Sequence, residues 1–406
     1  MTTVVVLGGA GGIGSVAVRA LTTAKVFDDI VVADARLEAA AAVVAAVGDP
    51  RLRARAFDAA DARSLRVAID RADVVLNCVG PFYRFGPPIL QAAIEAGTHY
   101  VDVCDDLAPT RVMLAMDEQA RARGVKALLG MGNSPGLANV FVRLCADTLL
   151  DAVDQVDIMH IHGGEPTEGP AVVKHRILAM TDPVPLFVDG QFIQVQQLGR
   201  DGEQQTIDTD FHRVGTYPVF PYPHPETITL PMHIPGLRGA TNRGVIFPLS
   251  YFKLTQDMVR VGLTGTEPLD VDGHDVVPLD VAVAHILSQR PRLLAEAGVT
   301  GPAGCLKVVV NGSRHGEPRS LIFQLSSTTV GAGEGTGIPA AAGAVLMARG
   351  GVKQAGVLPP EAAVAPLELL MEAFRMVKAM GKGGEDSIRI QQVDAAGRVT
   401  DVPLPF

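Results

Sequence analysis

Thr3-Val4-Val5-Val6-Leu7-Gly8-Gly9-Ala10-Gly11-Gly12-Ile13-Gly14 opens the chain with a β-branched run followed by a G-x-G-x-x-G turn, Gly9 to Gly14. Alone, that pattern is weak, because glycine turns are common. Here its context is complete: the glycines follow an extended apolar run and lead into residues 15–23, which read as a helix. An acidic residue, Asp34, follows about 20 positions on. Each glycine has a physical task. Gly9 permits the tight turn, Gly11 admits a pyrophosphate where a Cβ would block it, and Gly14 lets helix and strand pack closely. The pyrophosphate then rests on the free N–H groups of the helix N-terminus, with Gly12 and Ile13 in the same loop.

Outward from this turn the alternation continues. Residues 30–33, 53–57, 74–79, 100–103 and 126–129 read as strands, with helices at 37–47, 62–69, 88–96 and 109–123. That spacing predicts an α/β fold, a parallel doubly wound Rossmann sheet with right-handed crossovers, closed by residues 126–129. Asp34, ending the second strand, is placed to accept hydrogen bonds from the adenosine ribose, which favours NAD. Arg36 can instead meet a 2′-phosphate, so NADP stays open. Asp58 after the third strand and Cys78-Val79-Gly80-Pro81 after the fourth complete the cofactor set, because ligands bind outside the carboxyl ends of such strands.

The rhythm changes after residue 132. Ser134 reads as a helix cap with Pro135 at the first helical position, the helix running on to Leu150. Strands at 187–197, 204–208, 258–264, 306–311 and 319–327, with a helix at 279–289, predict an α+β domain on a mixed or antiparallel sheet. Residues 216–242 are proline-rich and aperiodic and read as a long loop or lid. The glycine cluster at 331–337 has the wrong spacing for a second fingerprint and reads as a loop capping the next helix. Helices are expected at 339–348 and 365–380, at least one packing back on the first domain, and a strand pair within 387–406 turning at Ala396-Gly397. The division is residues 1–132 for the dinucleotide, 133–334 for substrate and dimerisation, and 335–406 for the C-terminal helices and tail.

Composition narrows the function. The chain has 406 residues, 48% hydrophobic and 19% charged, with a net charge of −9. An acidic chain makes a poor partner for a nucleic-acid backbone or an anionic membrane. The apolar runs at 39–47 and 338–348 fall short of the roughly 18 residues a membrane span needs. Nothing resembling a secretory leader precedes the first strand. Cys78, Cys104, Cys145 and Cys305 form no C-x-x-C pair, so neither zinc nor a disulfide framework is expected, and a reducing compartment, the cytoplasm, fits. His160, His162 and Glu165 lack a further ligand at suitable spacing, so no metal is expected.

Three stretches carry a resemblance. Asp73-Val74-Val75-Leu76-Asn77-Cys78-Val79-Gly80-Pro81-Phe82 is followed by Ala92-Ala93-Ile94-Glu95-Ala96-Gly97-Thr98-His99-Tyr100-Val101-Asp102. Pro135-Gly136-Leu137-Ala138-Asn139 comes next, then Thr336-Gly337-Ile338-Pro339-Ala340-Ala341 with Gly356-Val357-Leu358-Pro359-Pro360-Glu361. With the fingerprint they span nearly the whole chain, and the sequence resembles the saccharopine dehydrogenase-like family, which includes saccharopine reductase and lysine 6-dehydrogenase. The resemblance implies a two-domain, homodimeric enzyme that oxidises or reduces a C–N bond of a small amino acid, amine or imine with NAD(P). It does not fix the substrate.

For chemistry, Asp102, Cys104, Asp105 and Asp106 follow the fifth strand at the ligand edge. A carboxylate of tuned pKa can move the amine proton, or hold a cationic amine by charge-assisted hydrogen bonds. Asp102 lies within the resemblance, which adds weight to it, whereas a cysteine such as Cys104 is more often a small buried side chain. Lys174, His175, Arg176, Arg243 and Lys253 are candidates for a substrate carboxylate. Arg243 is first choice, for its bidentate geometry in a polar, glycine-flanked stretch. Two other functions stay open: a carbonyl or enoyl reductase of a lipid-like substrate, and a non-catalytic dinucleotide sensor.

Overall fold

In the first sheet seven parallel strands run in the order Gly356–Leu358, Lys126–Leu128, His99–Asp102, Val74–Asn77, Thr3–Leu7, Asp29–Asp34 and Leu52–Ala56. The computed structural model from which this is read describes residues 1–165, 168–329, 331–381 and 387–403. Helices cover both faces, so the central strands are buried on both sides and read as unbroken apolar runs. The strand order reverses beside Thr3–Leu7, which puts the ligand crevice at the carboxyl ends of Thr3–Leu7 and Val74–Asn77. Residues 126–129 do not close the sheet: Gly356–Leu358 pairs in parallel outside Lys126–Leu128. Three residues are too short a run to show a strand pattern in sequence.

The second sheet is mixed. Its main path is Ile207–Phe211, Gly215–Pro221, Gly239–Phe247, Ala152–Gly163, Ala303–Arg314, Glu317–Ser327, Ile388–Val393 and Val399–Asp401. Gly239–Phe247 and Ala152–Gly163 are parallel, the other neighbours antiparallel. A hairpin, Val184–Val188 with Gln191–Val195, branches from Gly239–Phe247. The helix Leu137–Leu144 joins the two sheets into one core, stacking Phe141 on Phe323 at 4.5 Å. The helix Ala332–Ala348 packs back against the fingerprint helix Gly14–Thr22. Among the described residues no helix is long and apolar enough to cross a membrane.

Several local expectations are corrected. The proline-rich stretch is no lid: it forms the strand Gly215–Pro221, the helix Glu226–His233 and the strand Gly239–Phe247, the last two largely buried. Residues 187–197 are not one strand, because Asp189 and Gly190 both take positive φ and make a hairpin turn. The 258–264 stretch ends the helix Leu249–Arg260, whose buried Tyr251, Phe252, Thr255 and Gln256 follow helical spacing. The 204–208 segment splits into a short helix, Arg200–Gln204, and the strand Ile207–Phe211. Residues 109–123 form two helices, Leu107–Leu114 and Asp117–Ala122. Ser134 does not cap: Gly136 is the cap and the helix starts at Leu137. The glycine cluster at 331–337 is itself the start of Ala332–Ala348. The strand pair Ile388–Val393 and Val399–Asp401 turns at Gly397, with residues 404–406 outside the described residues.

Candidate active site

The fingerprint loop is shaped for a dinucleotide. The left-handed turn residue is Gly8 rather than Gly9; a side chain there would lie 2.9 Å from the Cys78 carbonyl oxygen. Gly9 and Gly14 pack against backbone, whereas the space beside Gly12 is open. The N–H groups of Gly12 and Ile13 have no protein partner among the described residues, and no side chain caps the helix. An anion fits that position. Asp34 Oδ2 accepts from the Ala10 N–H at 3.1 Å and Oδ1 from the Arg36 N–H at 3.2 Å, while the Arg36 side chain is exposed. Asp58 accepts from the Ala60 N–H at 2.8 Å at the mouth of the third strand. Burial and the nearby Asp102 push the Cys78 thiol up to about 12. Val79 donates to Asn77 Oδ1, and Gly80 and Pro81 lead into the helix Phe82–Ala96.

Three of the residues expected to carry chemistry are buried and bonded within the protein. Asp102 is completely buried, and its Oδ1 accepts from the N–H groups of Gly130 (2.7 Å) and Cys104 (3.1 Å). Its Oδ2 accepts from the Tyr100 hydroxyl at 3.0 Å, which in turn accepts from Asn77. Burial raises its pKa to about 6 against those three bonds. Cys104 is sealed against Thr110, its thiol held well above the ordinary range by burial. Arg243, buried, spends its guanidinium on Gln205, Asp157 and Thr241. Each of its three nitrogens thus has a protein partner, four of the five N–H groups being spent.

A different group of residues is incompletely satisfied. Asp105 and Asp106 meet His175, from the helix Pro170–Thr181, with one ligand atom of each within 4.8 Å of the others. Asp106 Oδ1 lies 3.0 Å from His175 Nδ1. Burial pulls His175 down, but the hydrogen bond to Asp106 and the charges of both carboxylates win, and its pKa rises to about 9. Asp106 is therefore committed to an imidazolium. Asp105 carries no hydrogen bond among the described residues and is half-buried. Against them pack Tyr222 and His224, rings 5.4 Å apart, and His160, stacked on His224 at 5.1 Å.

His224 has the arrangement of a proton-transfer group. Its Nδ1 is sealed and faces Glu226 Oε2 at 3.3 Å. Glu226 is fully buried and held by the Ser134 hydroxyl and Asn242. Burial lowers the pKa of His224, yet Glu226, with Asp105 further off, raises it above the ordinary value. His160, next to it, is driven well below by burial and the neighbouring imidazoles and stays neutral. The orienting carboxylate leaves Nε2 of His224 as the working nitrogen.

Beside this cluster lies a buried cationic one. Arg176 donates to Glu168 Oε1, and the Tyr251 hydroxyl donates to Glu168 Oε2. Arg290 shares the same carboxylate at 3.6 Å, and both guanidinium groups lie over the Tyr251 ring. Arg176 is 2% exposed, and its Nη1 is sealed without a hydrogen-bond partner. One carboxylate thus serves two buried cations, and a donor is left unspent. The lid expected over residues 216–242 contains Tyr222, His224 and Glu226, and Glu168 carries no sequence signal of its own. The spacing His224-Pro225-Glu226 was the available signal, masked by its prolines.

Residues 4–128 match the family model described as the saccharopine dehydrogenase NADP binding domain. The chain is 26% identical over 379 residues to carboxyaminopropylagmatine dehydrogenase of Synechocystis sp., covering 87% of this chain and 91% of that protein. It is 27% identical over 388 residues to carboxynorspermidine synthase of Vibrio alginolyticus, covering 86% and 89%. Its fold is similar to that of apo saccharopine dehydrogenase (L-Glu forming) from Saccharomyces cerevisiae, with a TM-score of 0.65 at 15% identity over 98% of this chain and 100% of that one.

Proposed function

We propose that this chain, a member of the saccharopine dehydrogenase-like family, is an NAD(P)-dependent oxidoreductase acting on the C–N bond of a small substrate that bears both a cationic amine and a carboxylate. One observation carries this reading: an uncommitted carboxylate, Asp105, and an unspent buried guanidinium N–H, on Arg176, flank the same histidine cluster. Both relatives are named for carboxy-substituted amines, which agrees with such a pair of poles.

Asp105 holds the amine by charge-assisted hydrogen bonds. Arg176, its other arm fixed by Glu168, offers Nη1 to the carboxylate. The dinucleotide, when bound on the Gly12 and Ile13 N–H groups, accepts or supplies the hydride. As the C–H bond is lost and the C=N bond forms, the amine proton passes to His224 Nε2; in the reverse direction His224 returns it. Glu226 fixes the tautomer and stabilises the imidazolium. We read the enzyme as a cytoplasmic homodimer in which residues 133–334 bind substrate together with Asp105 of the first domain, supported by its four free thiols and, for the dimer, by the family resemblance.

The test follows reduced-nicotinamide absorbance with NAD or NADP and a panel of amino acids, diamines and carboxyalkyl amines, in both directions. Turnover is expected with at least one of these. His224→Gln should lower kcat by about 10²–10⁴-fold with dinucleotide affinity unchanged by calorimetry. No turnover across the panel, with dinucleotide bound, would overturn the reading in favour of a carbonyl or enoyl reductase.

A further inference from the structure

Two stretches singled out in the sequence, residues 135–139 and 356–361, converge on a buried point that the reaction above leaves unused. Glu361, 3% exposed, follows the strand Gly356–Leu358 in the short helix Pro360–Ala363. Its Oε2 accepts from Asn139 Nδ2 at 2.8 Å, and its Oε1 is sealed without a partner. Asn139 is fixed in turn, its Oδ1 accepting from the Gly136 N–H at 2.9 Å. The helix Glu226–His233 packs on this short helix and brings Thr229 close to the same carboxyl group, without a hydrogen bond from its hydroxyl. Glu226 lies three residues before Thr229, on the same helix face. A cavity of about 10 Å³, lined by Thr229, Asn139 and Pro360, adjoins them.

Glu226 is therefore a buried carboxylate with a histidine on one side and a second buried carboxyl group on the other. Two such carboxylates in a low-dielectric interior are not both ionised cheaply. Glu226 is already paired with His224 and accepts from Ser134, so it takes the negative charge. Glu361, with one neutral amide donor and an orphaned oxygen, keeps the proton. Burial raises its pKa to about 7, opposed by the polar groups of Thr229 and Asn139, with a small further rise from the charge of Glu226. The charged or titratable groups facing the other end of the chain, at His224, are Glu226, Asp105, His175, His160 and Tyr222.

We propose that Glu361 is a positioning residue for proton transfer, forming with Glu226 and His224 one buried unit whose proton count sets the charge on His224. This rests on the reading of His224 as the group that exchanges the substrate proton. While Glu361 is a neutral acid, His224 gives up and regains its proton readily. Once Glu361 ionises, a second negative charge beside Glu226 holds His224 as imidazolium, and removal of the amine proton slows.

Glu361→Gln keeps an acceptor for Asn139 and removes the titration. In wild type, infrared difference spectra should show the carbonyl stretch of a buried protonated carboxylic acid, disappearing as pH rises through neutrality. Glu361→Gln should lack the component of that band that titrates near 7 and keep the component of Asp102, which titrates near 6. This arm needs no substrate, so it stands or falls separately from the proposed reaction. In turnover, the pH limb that reports neutral His224 should move to lower pH by about one unit in Glu361→Gln, with KM unchanged. A component near 7 that persists in the variant, or a limb that does not move while the protein stays folded, overturns the proposal.

Discussion

Asp102 and Asp105 stand three residues apart at the end of one strand, and the fold treats them in opposite ways. Asp102 is enclosed and accepts three hydrogen bonds that tie the ends of neighbouring strands together. Asp105, in the next turn, has none. Arg243 and Arg176 repeat the contrast beyond the first sheet: both are buried, but every nitrogen of Arg243 has a partner while Nη1 of Arg176 has none. Burying a donor without a partner costs about 1–3 kcal/mol. A fold that carries that cost beside an open carboxylate and an oriented histidine has its unsatisfied valences where a ligand can fill them. Residue type and strand position do not separate scaffold from site here; the count of unspent hydrogen bonds does.

The strongest challenge to this contrast is Asp102→Asn. Asparagine keeps an oxygen for the Gly130 and Cys104 N–H groups and an N–H for the Tyr100 oxygen. In the wild type the carboxyl pKa is about 6 when folded, against about 3.9 unfolded. Between those values the folded state binds more protons than the unfolded one, so the stability contribution of Asp102 is lost as pH rises through that window. The stability of wild type minus that of Asp102→Asn should fall by about 3 kcal/mol in all between about pH 3 and pH 7 and then level off, measured by urea unfolding. The kcat of the folded variant should stay within a few-fold of wild type. A large loss of kcat in a stable Asp102→Asn protein would erase the distinction between the two aspartates.

Arg176→Lys is the counterpart. Lysine keeps the charge opposite Glu168 but has no second arm in the fork. KM for a carboxylate-bearing substrate should rise about 10²-fold, about 2.7 kcal/mol, with kcat little changed. An amine lacking the carboxylate should lose nothing. If KM rises equally for both, Arg176 is scaffold like Arg243.

Much of the fold was legible because its signals are local. The fingerprint and the strand–helix alternation of the first 130 residues depend on neighbours in sequence, and the helices Leu37–Val47 and Ala62–Ile69 fall where their periodicity puts them. What escaped depends on distant partners. Gly356–Leu358 becomes a strand only because Lys126–Leu128 offers an edge, and Leu249–Arg260 is helical because its buried face outweighs the β-branched residues at its end. The site escaped for the same reason. Asp105 and His175 are far apart in sequence and belong to elements around different sheets, and whether a buried arginine is spent or idle depends on neighbours such as Gln205 or Glu168, which no local pattern pairs with it.

The same contrast extends, with the smallest effect, to the cofactor edge. Asp34 gives each carboxylate oxygen to a backbone N–H, Ala10 on one side and Arg36 on the other. Those bonds fix the carboxylate and still leave lone pairs for ribose hydroxyls, which serves NAD. The Arg36 guanidinium, exposed at the start of the helix Leu37–Val47, makes no ion pair among the described residues and is the group able to offset a 2′-phosphate against Asp34. At so exposed a position screening limits its contribution. Arg36→Ala should therefore weaken NADP binding by about tenfold, about 1.4 kcal/mol, and leave NAD binding unchanged, as read by calorimetry at moderate salt. Equal loss for both dinucleotides would mean that Arg36 acts through the Asp34 backbone contact instead, placing it with the scaffold. No loss for either would leave the 2′-phosphate without a counter-charge on this strand and make NAD the cofactor the edge is built for.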